Sequence, residues 1–136
     1  MSETIFSKII RREIPAQFVY EDDVCVVIMD KFPSVKGQTL VISKQEVDYL
    51  FDLDDATYQH LFKIARQVAK ATDQALKPTR TCLAVEGFEV PHVHIKIYPV
   101  TDTSKGLGPY LKGGEMASDE ELAQLAQSIK ESLATI

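Results

Sequence analysis

The chain has 136 residues with a hydrophobic fraction of 45% and a charged fraction of 26%, which suggests one ordinary globular domain able to bury roughly two thirds of its unfolded surface. Its formal charge of -5 argues against nucleic acid as a partner, because proteins that bind the phosphate backbone normally carry a basic stripe. The two isolated cysteines, the lack of a signal peptide and the absence of an apolar run near the roughly 20 residues of a membrane span predict a cytoplasmic protein with no disulfide framework and no membrane partner.

The first half of the chain predicts a short helix followed by three strands. The helix covers residues 4–12, where apolar side chains recur on one side. Two strands at 18–20 and 24–29 flank the acidic turn Glu21-Asp22-Asp23, which is a hairpin signal. A third strand, 38–42, follows the turn at Lys36-Gly37.

The second half predicts two longer helices and two further strands. A long amphipathic helix is expected from the N-cap Asp54 to residue 76, because apolar residues recur there at helical spacing. Strands are predicted at 81–86 and 92–98. A glycine-rich loop, 101–117, then leads to an amphipathic C-terminal helix over 118–136.

Consecutive hairpin-like strands predict an α+β fold, a five-stranded antiparallel sheet with helices on one face. The chain shows no internal repeat and no linker, so we expect one domain over 1–136, with the core in 1–100. The glycine-rich loop lacks the spacing of a phosphate-binding loop, and we interpret it as a mobile segment in a position to close over a site.

The pair His92 and His94 is the strongest functional signal, because the chain has only three histidines. In a strand, side chains alternate between faces, so His92, His94 and Lys96 would line one face while their apolar neighbours are buried on the other. Two imidazoles beside an ammonium offer a neutral nitrogen nucleophile, hydrogen-bond donors and a fixed positive charge. This pattern favours an anionic substrate.

Two other interpretations of the histidine pair remain open. Such a pair is often a partly exposed strand face without a ligand. Imidazoles at this spacing also bind metal, but a metal site needs a third or fourth ligand, and Cys25 and Cys82 stand alone. The third histidine, His60, lies on the long helix, and we interpret it as a surface residue rather than a ligand.

Three segments of the chain closely resemble the histidine triad family and keep its order. The resemblance implies a hydrolase or transferase that acts on nucleotides and needs no cofactor. It also implies a homodimer whose two five-stranded sheets join across a two-fold axis. The segments are Thr4-Ile5-Phe6-x-Lys8-Ile9-Ile10-x-x-Glu13-Ile14-Pro15-Ala16 with Tyr20-Glu21-Asp22-Asp23, then Asp30, Pro33, Lys36-Gly37 and Leu40-Val41-Ile42, and finally Pro91-His92-Val93-His94-Ile95.

The resemblance assigns the role of nucleophile to His94, the middle histidine of the family motif. Its ring nitrogen would attack the α-phosphorus of a nucleotide or nucleoside phosphoramidate, and water would hydrolyse the nucleotidyl-histidine. His92 would hold the tautomer of His94 through backbone and side-chain contacts, and Asp30 would accept hydrogen bonds from the ribose hydroxyls. Three apolar residues match positions that line the base pocket, with a plain core role as the alternative. They are Phe6, Ile9 and Ile28.

The chain departs from the family pattern at positions that carry chemistry. Lys96 replaces the third histidine, which keeps a cation for phosphate but gives a poor proton donor at neutral pH. Gln38 replaces an upstream histidine, and Glu89 lies in the phosphate-contacting turn, where its charge opposes phosphate unless Lys96 pairs with it. Thr4 and Ser7 replace a zinc-binding cysteine pair, which removes any motif-based case for a metal.

Two functions of different classes therefore remain. The first is an enzyme, a nucleotide phosphoramidase or dinucleotide hydrolase that uses His94 despite the altered triad. The second is a dimeric nucleotide-binding protein that is catalytically weak or inactive. A nucleotide bound covalently to His94 during turnover would distinguish the enzyme from the binding protein.

Overall fold

A computed structural model describes residues 3–136, so the first two residues of the predicted domain lie outside the described range. None of the helices in this range is both long and apolar enough to cross a membrane. Two short 3₁₀ helices, Leu50–Asp52 and Gly108–Tyr110, interrupt the longer connections. The remaining elements are the helices α1 (Ile5–Ile10), α2 (Asp55–Leu76) and α3 (Asp119–Leu133) and the strands β1 (Phe18–Glu21), β2 (Cys25–Met29), β3 (Thr39–Ser43), β4 (Arg80–Ala84) and β5 (His94–Val100).

The five strands form one sheet in the order β1-β2-β3-β5-β4. Every neighbouring pair is antiparallel, which confirms the predicted five-stranded antiparallel sheet. β5 lies between β3 and β4. Its residues Lys96 and His94 pair with Leu40 and Ile42 of β3. After α2 the chain enters the sheet as the edge strand β4, and β5 then lies between β4 and β3, which brings His94 next to the strand that follows Asp30.

The two long helices cover one face of the sheet, as predicted, whereas α1 packs on the opposite face. Every residue of β2 and β3 is buried, so both faces of these central strands need a cover. Alternation along β2 sends Cys25 and Val27 into the core beneath α2 and α3, and Val26 and Ile28 into a second cluster with Phe6 of α1. Strands buried on both faces appear in the sequence as continuous apolar runs, and such a run does not identify which helix lies on which side.

The helix ends follow from local hydrogen bonding. The Asp54 side chain accepts from Thr57 N at the start of α2, and the Ser118 side chain accepts from Glu121 N at the start of α3, as their cap positions predict. α1 is shorter than the predicted 4–12, because Arg12 adopts the left-handed conformation with φ 64° and the helix ends in an αL cap.

The structure corrects the bounds of the two strands near the histidine pair. The strand predicted at 92–98 begins at His94 and runs to Val100, because His92 N donates to Val90 O in a turn after Pro91. The strand predicted at 81–86 is Arg80–Ala84. Glu86 therefore lies beyond the strand, in the loop that returns to His92.

The glycine-rich loop lies along residues 31–34. Ser34 Oγ donates to Lys112 O at 2.5 Å, and Gly114 N donates to Phe32 O at 3.0 Å. A Cβ at position 114 would lie 1.9 Å from Pro33 O, so only glycine permits this approach. The loop is thus placed at the rim of the space beside Asp30.

Candidate active site

His94 lies at the first position of β5, and its ring is held by a hydrogen bond to the backbone. Its Nδ1 is 2.7 Å from His92 O. Because a carbonyl oxygen only accepts, Nδ1 carries the hydrogen, and the neutral ring keeps its lone pair on Nε2. Phe6 packs edge-on against the ring with centroids 4.8 Å apart. The ring therefore has one defined orientation, with Nε2 as the nitrogen available for nucleophilic attack.

The surroundings of His94 favour its neutral form. Burial lowers the pKa of His94 below its usual 6.5, the hydrogen bond to His92 O partly opposes this, and the positive charge of Lys96 lowers the pKa further. An imidazolium has no lone pair with which to attack an electrophile. The lowered pKa therefore keeps His94 competent as a nucleophile near pH 7.

His92 is fully buried and does not line the cavity, contrary to the expectation that it shares a strand face with His94 and Lys96. Its Nε2 donates to Ser43 O at 2.7 Å, and its Nδ1 is 2.7 Å from Thr4 Oγ1. These bonds fix the tautomer of His92, with the hydrogen on Nε2 and Nδ1 accepting from the threonine hydroxyl. His92 contacts His94 through its backbone carbonyl, while its ring anchors the turn before β5.

Thr4 and Ser7 form the cap at the start of α1. Thr4 Oγ1 accepts from Ser7 N, and Ser7 Oγ accepts from Thr4 N. The same threonine hydroxyl contacts the His92 ring. A hydrogen-bonded link therefore connects the start of α1 to the turn before the candidate nucleophile.

Lys96 extends from the same face of β5 as His94 and is 12% exposed. Its Nζ is 3.3 Å from Glu86 Oε1, so its ion-pair partner is Glu86 and not Glu89. Glu86 is not among the predicted site residues, because the strand predicted at 81–86 includes it, whereas the observed strand ends at Ala84. The pairing of Ala84 with Lys96 across the β4–β5 ladder places Glu86 near Lys96, and this register is visible only in the structure.

Asp30 follows β2 directly and is held from two sides. Its Oδ1 accepts from Phe32 N at 2.8 Å, and its Oδ2 accepts from Gln38 Nε2 at 2.7 Å. Gln38 Oε1 in turn accepts from Ser34 N at 2.8 Å, which orients the amide. Burial raises the pKa of Asp30, whereas these hydrogen bonds and the positive charge of Lys96 partly oppose the rise. Each carboxylate oxygen retains acceptor capacity for a ligand hydroxyl.

A cavity of about 530 Å³ brings these groups together. This volume lies within the usual range for small-molecule sites. Of the residues predicted from the sequence, it contains every one except His92. The predicted residues that line it are Phe6, Ile9, Ile28, Asp30, Gln38, Glu89, His94 and Lys96, and the lining residues that the prediction missed include Leu40, Glu86, Tyr98, Leu111 and Gly113.

The cavity combines an apolar end with a charged end. Side chains of α1 and β2 supply the apolar surface, and the charged end holds the carboxylates Asp30, Glu86 and Glu89 around the Lys96 ammonium. With the Lys31–Asp119 ion pair at the rim, four carboxylates face two ammonium groups, and this excess of negative charge disfavours a ligand with several negative charges unless it brings cations with it. The arrangement suits a ligand with an apolar ring, hydroxyls for Asp30 and few negative charges.

Comparison of the sequence with known proteins matches this chain to HIT-domain proteins. A model of the HIT domain matches residues 11–102. Among relatives, a HIT-like protein of Mycoplasma genitalium is 30% identical over 95% of each chain. A HIT-like protein of Methanocaldococcus jannaschii is 31% identical over 93% of this chain and 98% of the relative.

Comparison with solved structures also matches this chain to proteins of that kind. A Hit-like protein of Bartonella henselae, described as involved in cell-cycle regulation, superposes with a TM-score of 0.83 at 29% identity, covering 96% of each chain. A histidine triad nucleotide-binding protein of Sulfolobus tokodaii also gives 0.83 at 29% identity, covering 96% of this chain and 92% of that one. The match extends beyond the core to include the C-terminal helix.

Proposed function

Because the chain belongs to the HIT, or histidine triad, family, we propose that it is a nucleotide-binding hydrolase or transferase that acts through a nucleotidyl-histidine on His94. The observation that carries this proposal is the His94 ring, buried in the cavity wall, hydrogen-bonded at Nδ1 and neutral near pH 7. The apolar end would take the base, and Asp30 would accept hydrogen bonds from the ribose.

The proposed reaction has two steps. The Nε2 lone pair of His94 forms a bond to the α-phosphorus while the bond from phosphorus to the leaving group breaks, and the leaving group departs with that electron pair and a proton taken up from solvent. Water then attacks the same phosphorus, the bond to Nε2 breaks, and the proton of the water passes to solvent. Lys96 would neutralise charge on the non-bridging oxygens in both steps.

The charge of the cavity favours a nucleoside phosphoramidate over a dinucleotide polyphosphate. A phosphoramidate monoester carries one negative charge near phosphorus, which a single ammonium can balance. A polyphosphate bridge carries several, and Glu86 and Glu89 would repel them. We therefore place an amine, rather than a second nucleotide, at the leaving-group position.

The test is direct detection of the intermediate. Protein mixed with a nucleoside 5′-phosphoramidate that has an aromatic amine leaving group is denatured within one turnover at alkaline pH, because phosphorus–nitrogen bonds on histidine are acid-labile. Mass spectrometry should then find one nucleotidyl group, mapped to the peptide that contains His94. His60→Gln should retain the adduct and His94→Asn should lose it while still binding nucleoside monophosphate. Nucleotide binding with no adduct and no turnover would instead establish a non-catalytic binding protein.

The proposal includes a homodimer and a reducing location. β4 forms an edge of the sheet and exposes Leu83 to 41%, which leaves an apolar edge free for a second copy. Both cysteines are free thiols, which supports a cytoplasmic protein.

A further inference from the structure

A second cluster of reactive side chains lies across the sheet from His94. It consists of Asp22 in the β1–β2 turn, Cys25 at the start of β2 and His60 on α2. One donor atom from each residue lies within 4.8 Å of the other two. Cys25 belongs to the core on the side of the long helices, whereas His94 faces the cavity on the side of α1.

The hydrogen bonds around Asp22 hold its carboxylate in one orientation. Oδ1 accepts from the backbone N–H groups of Val24 and Cys25 at 2.8 and 2.9 Å. Oδ2 accepts from Tyr20 OH at 2.8 Å and lies 2.7 Å from His60 Nε2. All four acceptor directions of the carboxylate are therefore used. In one of them, the contact between Asp22 Oδ2 and His60 Nε2, a single proton lies between two atoms that are good metal ligands.

We propose that this cluster is a binding site for a divalent transition-metal ion of the zinc class, with Cys25 Sγ, His60 Nε2 and Asp22 Oδ2 as ligands and a water in the fourth position. The ion takes the place of the proton between His60 and Asp22, so each acceptor direction of the carboxylate stays satisfied. A mixed sulfur, nitrogen and oxygen donor set is one that zinc accepts readily.

The geometry requires only small movements. Metal–ligand bonds of about 2.0–2.3 Å place tetrahedral neighbours roughly 3.2–3.7 Å apart. The contact between His60 and Asp22 has to widen from 2.7 Å, and the His60 ring has to shift so that the ion also reaches the sulfur, which lies within 4.8 Å of both other donor atoms. The His60 side chain is 29% exposed and can rotate, while the hydrogen-bonded Asp22 carboxylate and the buried Cys25 stay in place. An ion would enter from solvent between the two exposed ligands and meet the sulfur below.

Binding requires the Cys25 thiol to lose its proton to solvent and the His60 ring to exchange its hydrogen from Nε2 to Nδ1 as the bonds to the metal form, without any change of oxidation state. Burial, followed by the charge of Asp22, raises the pKa of Cys25 to about 12, while nearby Lys44 partly opposes this. A divalent ion adjacent to the sulfur supplies the charge that stabilises the thiolate. Tyr20 OH, which donates to Asp22, acts as a positioning group for the carboxylate ligand.

The consequence is structural and independent of the proposed chemistry at His94. An ion bound here would cross-link α2 to the β1–β2 turn on the helix side of the sheet. Its presence or absence can be established without measuring any activity.

The test uses Co²⁺ as a spectroscopic probe on tag-free, full-length protein. Bound tetrahedral cobalt should give visible bands together with a near-ultraviolet sulfur-to-cobalt charge-transfer band, and one equivalent of Zn²⁺ should abolish both. Cys82→Ser, which removes the other free thiol, should leave the spectrum unchanged. His60→Gln keeps a donor for Asp22 but loses the ligand nitrogen, and should weaken binding at least tenfold.

Two further variants distinguish residues that bind the metal from residues that orient a metal ligand. Tyr20→Phe should retain the charge-transfer band and lower the affinity about 10–100-fold, as expected for loss of a group that orients a ligand. Cys25→Ser should lose the band if it folds, and His60→Gln decides the matter if it does not. No sulfur-to-cobalt band in the wild-type protein, or a band that His60→Gln leaves unchanged, would overturn the proposal and mean an adventitious ion only.

Discussion

His94 combines the properties that a nitrogen nucleophile needs, and each has a separate physical cause. The hydrogen bond to His92 O places the hydrogen on Nδ1, and burial disfavours the charged ring. Lys96 adds a like charge, which further lowers the pKa of His94. Lys96 therefore affects the proposed nucleophile as well as the proposed phosphate contact.

Removing the Lys96 charge should make His94 easier to protonate. In Lys96→Met we expect the pKa of His94 to rise toward 6.5, because a repulsive charge is gone and Glu86 is left unpaired. Since protonation removes the lone pair, the acid limb of the pH–rate profile should move to higher pH. NMR titration of the His94 ring measures this shift without relying on activity. Lys31→Met, at the cavity rim and paired with Asp119, is the control and should leave the pKa unchanged.

Restoring a histidine at position 96 should help substrates with poor leaving groups. A lysine ammonium protonates a departing alkylamine poorly near pH 7, whereas an imidazolium does so well. Lys96→His should raise kcat for alkylamine phosphoramidates about tenfold to a hundredfold, the low end for general-acid catalysis, because Gln38 and Glu89 remain unmatched to the family. Substrates with good leaving groups should respond little. If Lys96→His and the wild-type protein have the same kcat for alkylamine substrates as well as for good leaving groups, proton donation does not limit the reaction.

Asp30 should contribute directly to nucleotide binding. Asp30→Ala should weaken the binding of a nucleoside monophosphate by about 1.5–3 kcal/mol, the range for hydrogen bonds to a charged group. Calorimetry with the 2′,3′-dideoxy analogue supplies the check. Because this ligand lacks the hydroxyls, the wild-type protein and Asp30→Ala should bind it with equal affinity. Asp119→Ala, an exposed carboxylate at the rim, is the matched control. Unchanged affinity for the intact nucleotide in Asp30→Ala would remove Asp30 from the ribose site.

At the scale of elements, α1 is coupled to the turn before β5. The Thr4 hydroxyl caps α1 and also bonds the buried His92 ring, whose other nitrogen donates to Ser43 O on β3. A short helix with six residues gains little from its own hydrogen bonds, so its position depends on these contacts and on Phe6 and Ile9. The helix in turn holds Phe6 against the His94 ring.

Removing the Thr4 hydroxyl should therefore cost more than an ordinary helix cap. Thr4→Val loses the cap, about 0.5–2 kcal/mol, and leaves His92 Nδ1 buried without a partner, about 1–3 kcal/mol. Ser118→Ala removes the cap of α3 alone and should cost about 1 kcal/mol. Urea denaturation of the two variants compares the losses in free energy of unfolding. Equal losses would show that the bond between Thr4 and His92 contributes nothing to stability.

At the scale of the whole molecule, the sheet ends in two edges, β1 and β4. Of these two edge strands, β4 is the less buried, with Arg80 and Leu83 exposed. An apolar edge strand of this kind tends to pair with another chain. Pairing of two β4 edges across a two-fold axis would join the two sheets and cover Leu83 in both copies.

The dimer prediction concerns mass and its dependence on that edge. Light scattering should give about 30 kDa, twice the 15.2 kDa of one chain. Leu83→Lys, which places a charge on the edge, should lower the mass toward that of one chain at micromolar concentration. Phe51→Lys, at a more exposed apolar residue outside β4, should leave the mass unchanged. A wild-type mass of about 15 kDa would contradict the prediction.

The sequence by itself determined the element types, the antiparallel sheet, the caps at Asp54 and Ser118 and the shared strand face of His94 and Lys96. These features depend on local chemistry, such as side-chain period, capping oxygens and turn residues, which is written in neighbouring positions of the chain. The family motif added positions such as Asp30 and Phe6, which no local pattern connects to His94.

Only the tertiary structure decided which contacts these groups make. The sequence placed His92 beside His94 on a strand face, but hydrogen bonds to Ser43 and Thr4 fix its ring outside the cavity. It left open whether Glu89 pairs with Lys96, and the end of β4 at Ala84 brings Glu86 there instead. His60 was expected at the surface and lies 2.7 Å from Asp22. Each case depends on atoms far apart in the chain, whose distances are set by packing against the sheet and not by spacing along the sequence.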